Sequence, residues 1–152
     1  MRRHITVFLK DRMTHPNVTI AAMNAYNARI PFNAWLAMEV LSATSTSVAL
    51  QVPWRDEFGG IPGIAHGGIL ASIIDTAAYM VLMAANGGGG PTVDMRVDYH
   101  RGAIAGETIF VDAQLLRAGA TISTMDVFIK NEQQQLIASG RCVYLSKSRR
   151  QS

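Results

Sequence analysis

The chain has 152 residues, 49% of them hydrophobic and 16% charged, which reads as one compact globular domain with a real core and excludes a disordered chain. Fourteen basic against eleven acidic residues leave a formal charge of +3. Part of that surplus sits at the ends, in Arg2-Arg3 and Lys147 to Arg150, with no aromatics interleaved, so no nucleic-acid partner is expected. The single Cys142 excludes an internal disulfide and a cysteine-based metal cluster, and neither a metal nor a cofactor is expected. Met1 to His4 followed by Ile5 to Leu9 offers too short an apolar stretch for a signal peptide, so a cytoplasmic location is the default expectation. Residues 1–30 read as an extension carrying one helix, residues 148–152 as a basic tail.

In chain order, Pro16 to Arg29 has helical character, with Val18, Ala21, Ala22 and Ala25 on one face and Pro16 near the start. Ile30-Pro31-Phe32 ends it. Strands are expected at Trp35–Leu41 and Ser45–Pro53, and Trp54 to Ala65 is a loop bearing glycine and proline. Ile69 to Ala85 follows as a helix apolar on every side, hence a buried one. It ends at Asn86-Gly87 with Pro91 beyond, a helix stop. Length alone would allow a membrane span, but the run is short, carries Asp75, and is followed by strands, so no membrane partner is expected. From Thr92 to His100, Val93, Met95, Val97 and Tyr99 alternate with Asp94, Arg96, Asp98 and His100, a period of two that marks a half-buried strand. Glu107–Arg117, Thr121–Lys130 and Gln135–Lys147 should continue as an antiparallel meander. Such a sheet buries one face, and the helix over 69–85 is the only element apolar enough to fill it. The fold class is therefore α+β, a curved antiparallel sheet wrapped round one helix.

Two features of that helix point to chemistry. Asp75 is its only charge, and no Lys or Arg within 61–93 can neutralise it locally. Gly67 and Gly68 leave the N-terminus free of side-chain bulk, so its N–H groups can meet a ligand closely. Residues three and four positions from Asp75 are Ala71, Ser72, Ala78 and Tyr79, three of them small. His66, at a glycine turn, reads better as a backbone-bonded histidine than as a proton carrier.

His66-Gly67-Gly68, Asp75 eight residues after Gly67, and Thr92-Val93-Asp94 opening a strand together resemble the phenylacetate-degradation (PaaI) type of acyl-CoA thioesterase, in the hotdog and 4-hydroxybenzoyl-CoA thioesterase superfamily. The likeness covers roughly residues 30–147. It implies a hotdog fold, a homodimer or dimer of dimers, and hydrolysis of an acyl-CoA substrate. It implies Asp75 as general base or nucleophile, Gly67 as the N–H donor to the thioester carbonyl, Thr92 as a hydroxyl positioning water or carboxylate, and His66 as the turn residue. Gly68, Gly60, Asp94 and Arg96 fall on its substrate side. One departure stands out: relatives usually carry Asn or Gln six residues before the histidine, and here that residue is Gly60. Thr92 or a shifted loop residue then covers the role, or the enzyme is slow or acts differently. Arg96, Arg101, Arg117, Arg141 and Lys147 are candidates for the coenzyme A phosphates.

Spacing adds a geometric constraint. Eight helical residues separate Gly67 from Asp75 by about 12 Å, too far for one chain to bring both to one thioester. A catalytic site would combine Gly67 of one subunit with Asp75 of another. The competing functions are a hotdog acyl-CoA hydratase or dehydratase and a non-catalytic acyl-CoA-binding protein.

Overall fold

The computed structural model describes His15 and residues 18–146. Helix α1 runs Ile20–Arg29, capped by Thr19, whose hydroxyl accepts the Ala22 N–H at 3.1 Å. Pro16 lies outside the described residues. The expected apolar face is shifted: Ala21 and Ala25 are exposed, while Met23 and Asn27 are buried. Met23 is a larger payload than any of the alanines, and its face turns inward.

The expected strand at Trp35–Leu41 is half wrong. Pro31–Leu36 forms a second short helix, α2, with Pro31 at its first turn and Ala37 in the left-handed region (φ 53°) at its end. Proline is preorganised for a helix start, and the turn carries Leu36 into the core. Strand β1 then covers only Glu39–Ala43, followed by β2 at Ser47–Val52 and a single 3-10 turn at Asp56–Phe58.

The long helix, α3, spans Gly67–Asn86, somewhat longer than expected, and Gly87 (φ 79°) closes it. Strands β3 Thr92–Tyr99, β4 Ile109–Ala118, β5 Ile122–Lys130 and β6 Leu136–Leu145 complete a six-stranded antiparallel sheet ordered β1-β2-β4-β5-β6-β3. The meander β4-β5-β6 is as expected. Helix α3 packs against β2 to β6, burying Ile73, Ile74, Met80 and Leu82 completely, each such side chain contributing about 1.5–3 kcal/mol. It is the core helix of this sheet, which accounts for a hydropathy that would otherwise suit a membrane span.

Room for α3 comes from small residues. Ala138, Gly140 and Cys142 present one face of β6 to it, and a Cβ on Gly140 would stand 2.6 Å from Ile74 Cγ2 and 3.0 Å from the Arg96 carbonyl oxygen.

Strand β3 departs from the half-buried expectation. It pairs only with β6 and forms a sheet edge, leaving Val93 56% and Tyr99 55% exposed. A bulge between Thr92 and Asp94 sets Thr92 opposite Tyr144 and Asp94 opposite Val143. The extra residue, Val93, breaks the strict alternation, so Thr92 shares the inner face with Met95 and Val97.

Candidate active site

The N-terminus of α3 is built by backbone and histidine together. The His66 N–H donates to the Phe58 carbonyl at 2.7 Å, and the Ile69 N–H donates to the His66 carbonyl at 3.0 Å. His66 Nδ1 accepts the Gly68 N–H at 2.9 Å, an N-cap made by a side chain. The Gly67 carbonyl accepts the Tyr99 hydroxyl at 3.0 Å. The peptide joining Gly67 and Gly68 is thus held at both its oxygen and its nitrogen. Among the described residues the Gly67 N–H has no acceptor, and it stands at the positive end of α3. A Cβ at Gly67 would lie 3.3 Å from the Tyr99 ring, so glycine is what lets Tyr99 close over the turn.

Gly68, expected on the substrate side, has its N–H occupied by His66, which leaves Gly67 as the available donor of the pair. Gly60 has a packing role of its own. A Cβ there would come within 3.0 Å of His66 Cα and 3.2 Å of His66 N, and the Gly60 N–H donates to Ile64 O at 2.9 Å. The loop therefore folds tightly under His66 because position 60 lacks a side chain.

Asp75 sits about two turns further along α3 and is half-buried, where the sequence suggests a buried and isolated charge. The Thr92 hydroxyl donates to its Oδ1 at 2.8 Å. The Tyr144 hydroxyl lies 2.6 Å from the same Oδ1 and 2.7 Å from the Asp75 carbonyl oxygen. Neutral hydroxyls thus take the place that a buried cation would fill; among the described residues no Lys, Arg or His pairs with it. Oδ2 accepts no hydrogen bond from them either. The bulge in β3 is what aims Thr92 inward.

Tyr144 was not anticipated. The available signal was positional: it continues the inward stripe Ala138, Gly140, Cys142, but only the pairing of β3 with β6 places it beside Thr92. Burial pushes its phenol well above the ordinary range, and the hydrogen bond and negative charge of Asp75 push the same way, with the Thr92 hydrogen bond opposing them. Cys142, two residues back on the same face, is raised to about 12, first by burial and then by the charges of Asp75, Asp126 and Asp94. From Tyr144 an aromatic row leads to α1, with ring centroids 5.9 Å apart to Tyr79 and 5.6 Å on to Tyr26. The Tyr26 phenol is raised to about 12 by burial and by Tyr79.

Asp94 and Arg96 both lie on the outer face of the sheet, away from Asp75. Arg96 pairs with Asp98 at 3.0 Å there, beside the Arg141–Asp126 pair at 2.8 Å. These four side chains rim a shallow concavity of about 260 Å³ on that face. They alternate with the inward Met95–Cys142 and Val97–Gly140 pairs, and alternation forbids both sets from facing α3. Arg101 and Arg117 are exposed, and Lys147 lies outside the described residues.

One long helix enclosed by a six-stranded antiparallel sheet, with a glycine turn at its N-terminus and a hydroxyl-bound carboxylate two turns in, defines a hotdog protein. The family model described as Thioesterase superfamily matches residues 62–138, a span that includes both the turn and Asp75. Human acyl-coenzyme A thioesterase 13 is 32% identical over 104 residues, 67% of this chain and 74% of the relative. The medium/long-chain acyl-CoA thioesterase YigI of Escherichia coli is 30% identical over 137 residues, 76% of this chain and 85% of the relative. The crystal structure of zebrafish thioesterase superfamily member 2 superposes with a TM-score of 0.77 at 31% identity, covering 84% of this chain and 99% of that one. The chain belongs to the thioesterase superfamily and is a thioester hydrolase.

Proposed function

We propose that this protein hydrolyses acyl-CoA thioesters to free acid and coenzyme A, with Asp75 acting on water or directly on the thioester carbon and the Gly67 N–H of a partner subunit receiving the carbonyl oxygen. The observation that carries this reading is the pair formed by the Gly67 N–H at the start of α3 and the Asp75 Oδ2, neither of them hydrogen-bonded among the described residues. A carbonyl becoming an oxyanion needs a fixed donor, and one such donor contributes about 3–4 kcal/mol to the transition state. The substrate class follows the similar thioesterases from human and Escherichia coli, whose names specify acyl-CoA. We place the acyl groups in the medium-to-long range by analogy with the second of these.

A homodimer completes the site in this proposal. Thr92 at one end of β3 touches Asp75, and Tyr99 at the other end touches Gly67. The free edge of β3 can pair antiparallel with the same edge of a second copy about a two-fold axis, at a strand spacing of about 4.8 Å. That pairing sets the Thr92 end of one chain beside the Tyr99 end of its partner, and so brings Asp75 of one toward Gly67 of the other. Exposed Val93 and Tyr99 support the edge as a contact surface.

The test is release of free thiol from a panel of acyl-CoA thioesters of increasing chain length, run on wild type and Asp75→Asn. Release by wild type, abolished in a folded Asp75→Asn, is expected. Wild-type turnover in the variant would remove Asp75 from the mechanism.

A further inference from the structure

We infer that Tyr144 is a positioning residue for this hydrolysis, holding Asp75 so that Oδ2 is the one carboxylate oxygen presented to the reaction. The inference rests on Asp75 being the reacting carboxylate, as proposed above. Three contacts carry it. The Tyr144 hydroxyl stands 2.6 Å from Oδ1 and 2.7 Å from the Asp75 main-chain oxygen, so its single proton bridges the side chain and backbone of one residue. The Thr92 hydroxyl donates to the same Oδ1 at 2.8 Å. No described residue donates to Oδ2. A carboxylate free to rotate about its χ2 axis would exchange its two oxygens, because that torsion is broad and two-fold. With Oδ1 held by two hydroxyls and tied back to the helix, the exchange is blocked.

The supports are rigid. Tyr144 and Thr92 are paired neighbours on β6 and β3, and the Tyr144 ring packs beside Tyr79. Buried in this way the phenol stays protonated across the working range, so it remains a donor. As a general base, Oδ2 takes a proton from water while the water oxygen bonds to the thioester carbon. The C–S bond then breaks, and the leaving thiolate takes the proton held on Oδ2, which restores the carboxylate. As a nucleophile, Oδ2 itself bonds to that carbon and expels the thiolate, leaving an anhydride that water opens to two acids. In both routes Oδ1 keeps its two hydroxyl partners throughout.

Tyr144→Phe removes the hydroxyl and keeps the ring. With octanoyl-coenzyme A as the probe, kcat should fall about tenfold, the size expected for a lost hydrogen bond to a charged group, while KM stays within about twofold. The variant keeps the packed ring, so a packing role alone would leave kcat in place. A second measurement needs no activity: with tyrosines labelled at Cζ, the Tyr144 resonance should move at neutral pH in Asp75→Asn, because its hydroxyl then meets a neutral amide instead of a carboxylate. A folded Tyr144→Phe with wild-type kcat overturns the inference, and so does a Tyr144 resonance indifferent to Asp75→Asn. If wild type releases no thiol from any acyl-CoA, the proposed function fails, and the resonance still decides whether Tyr144 holds Asp75.

Discussion

Gly67→Pro and Asp75→Asn, each inactive alone, should restore activity when co-expressed. The proline removes the N–H that we assign to the oxyanion, and the local backbone accepts it. Gly67 is the first residue of α3, where proline is favoured, and His66 before it has φ −62° and ψ 135°, the extended region that a residue preceding proline requires. The steric demand falls on the Tyr99 ring, 3.3 Å from the added Cβ, which must give by a few tenths of an ångström. Loss of one oxyanion donor lowers kcat by about 10²–10³. If each site joins Gly67 of one subunit to Asp75 of the other, a mixed dimer has one intact site and one doubly damaged site. Random pairing makes half the dimers mixed, so the unfractionated preparation returns to about a quarter of wild type and the purified mixed dimers to about half. The assay is thiol release by differently tagged, purified mixed dimers, with circular dichroism and size-exclusion chromatography showing both variants folded and dimeric. Background activity in those dimers would refute the 12 Å argument, since a chain carrying its own complete site gains nothing from a partner.

Tyr99→Phe should keep the ring over Gly67 and lose the bond to its carbonyl; about 1 kcal/mol of positioning, or roughly fivefold in kcat, is expected with little change in Tm. Gly60→Asn, although it restores the residue usual among the relatives, should lower both Tm and turnover, because its Cβ would press on His66 at 3.0 Å; a faster enzyme would show that the loop relaxes and that an amide there is what the site lacks. Gly140→Ala should lower stability by about 1–3 kcal/mol, read as a drop in Tm, since α3 and β6 meet there without room for a methyl group. Cys142 has a thiol raised to about 12 and is buried, so at pH 8 it is protonated and should not react with a thiol reagent in the native protein; one thiol per chain should appear on denaturation, and a native titre would contradict the packing of β6.

Much of the fold was legible because its signals are local. The apolar run after His66-Gly67-Gly68, the alternation along the later strands and the glycine stop at Gly87 depend on periodicity and backbone preference, which a sequence displays directly. For the same reason Gly67 and Asp75 stood out, one as a bare helix start and the other as a lone charge. Trp35–Leu41 misled because aromatic and aliphatic residues suit a strand as well as a short buried helix, and the choice depended on where Leu36 could reach the core.

What the tertiary structure alone decided is the environment of that charge. Strict alternation sends Thr92 outward with Asp94 and Arg96, and only the bulge at Val93, seen in the register of β3 against β6, turns it toward Asp75. Tyr144 lies 69 residues from the carboxylate it holds, and no local pattern encodes that meeting. Sheet order also left β3 at an edge, and the fold brought its Tyr99 to the Gly67 carbonyl. Periodicity assigns a residue to a face, but strand pairing and bulges determine what that face meets, because they depend on contacts between segments far apart in the chain.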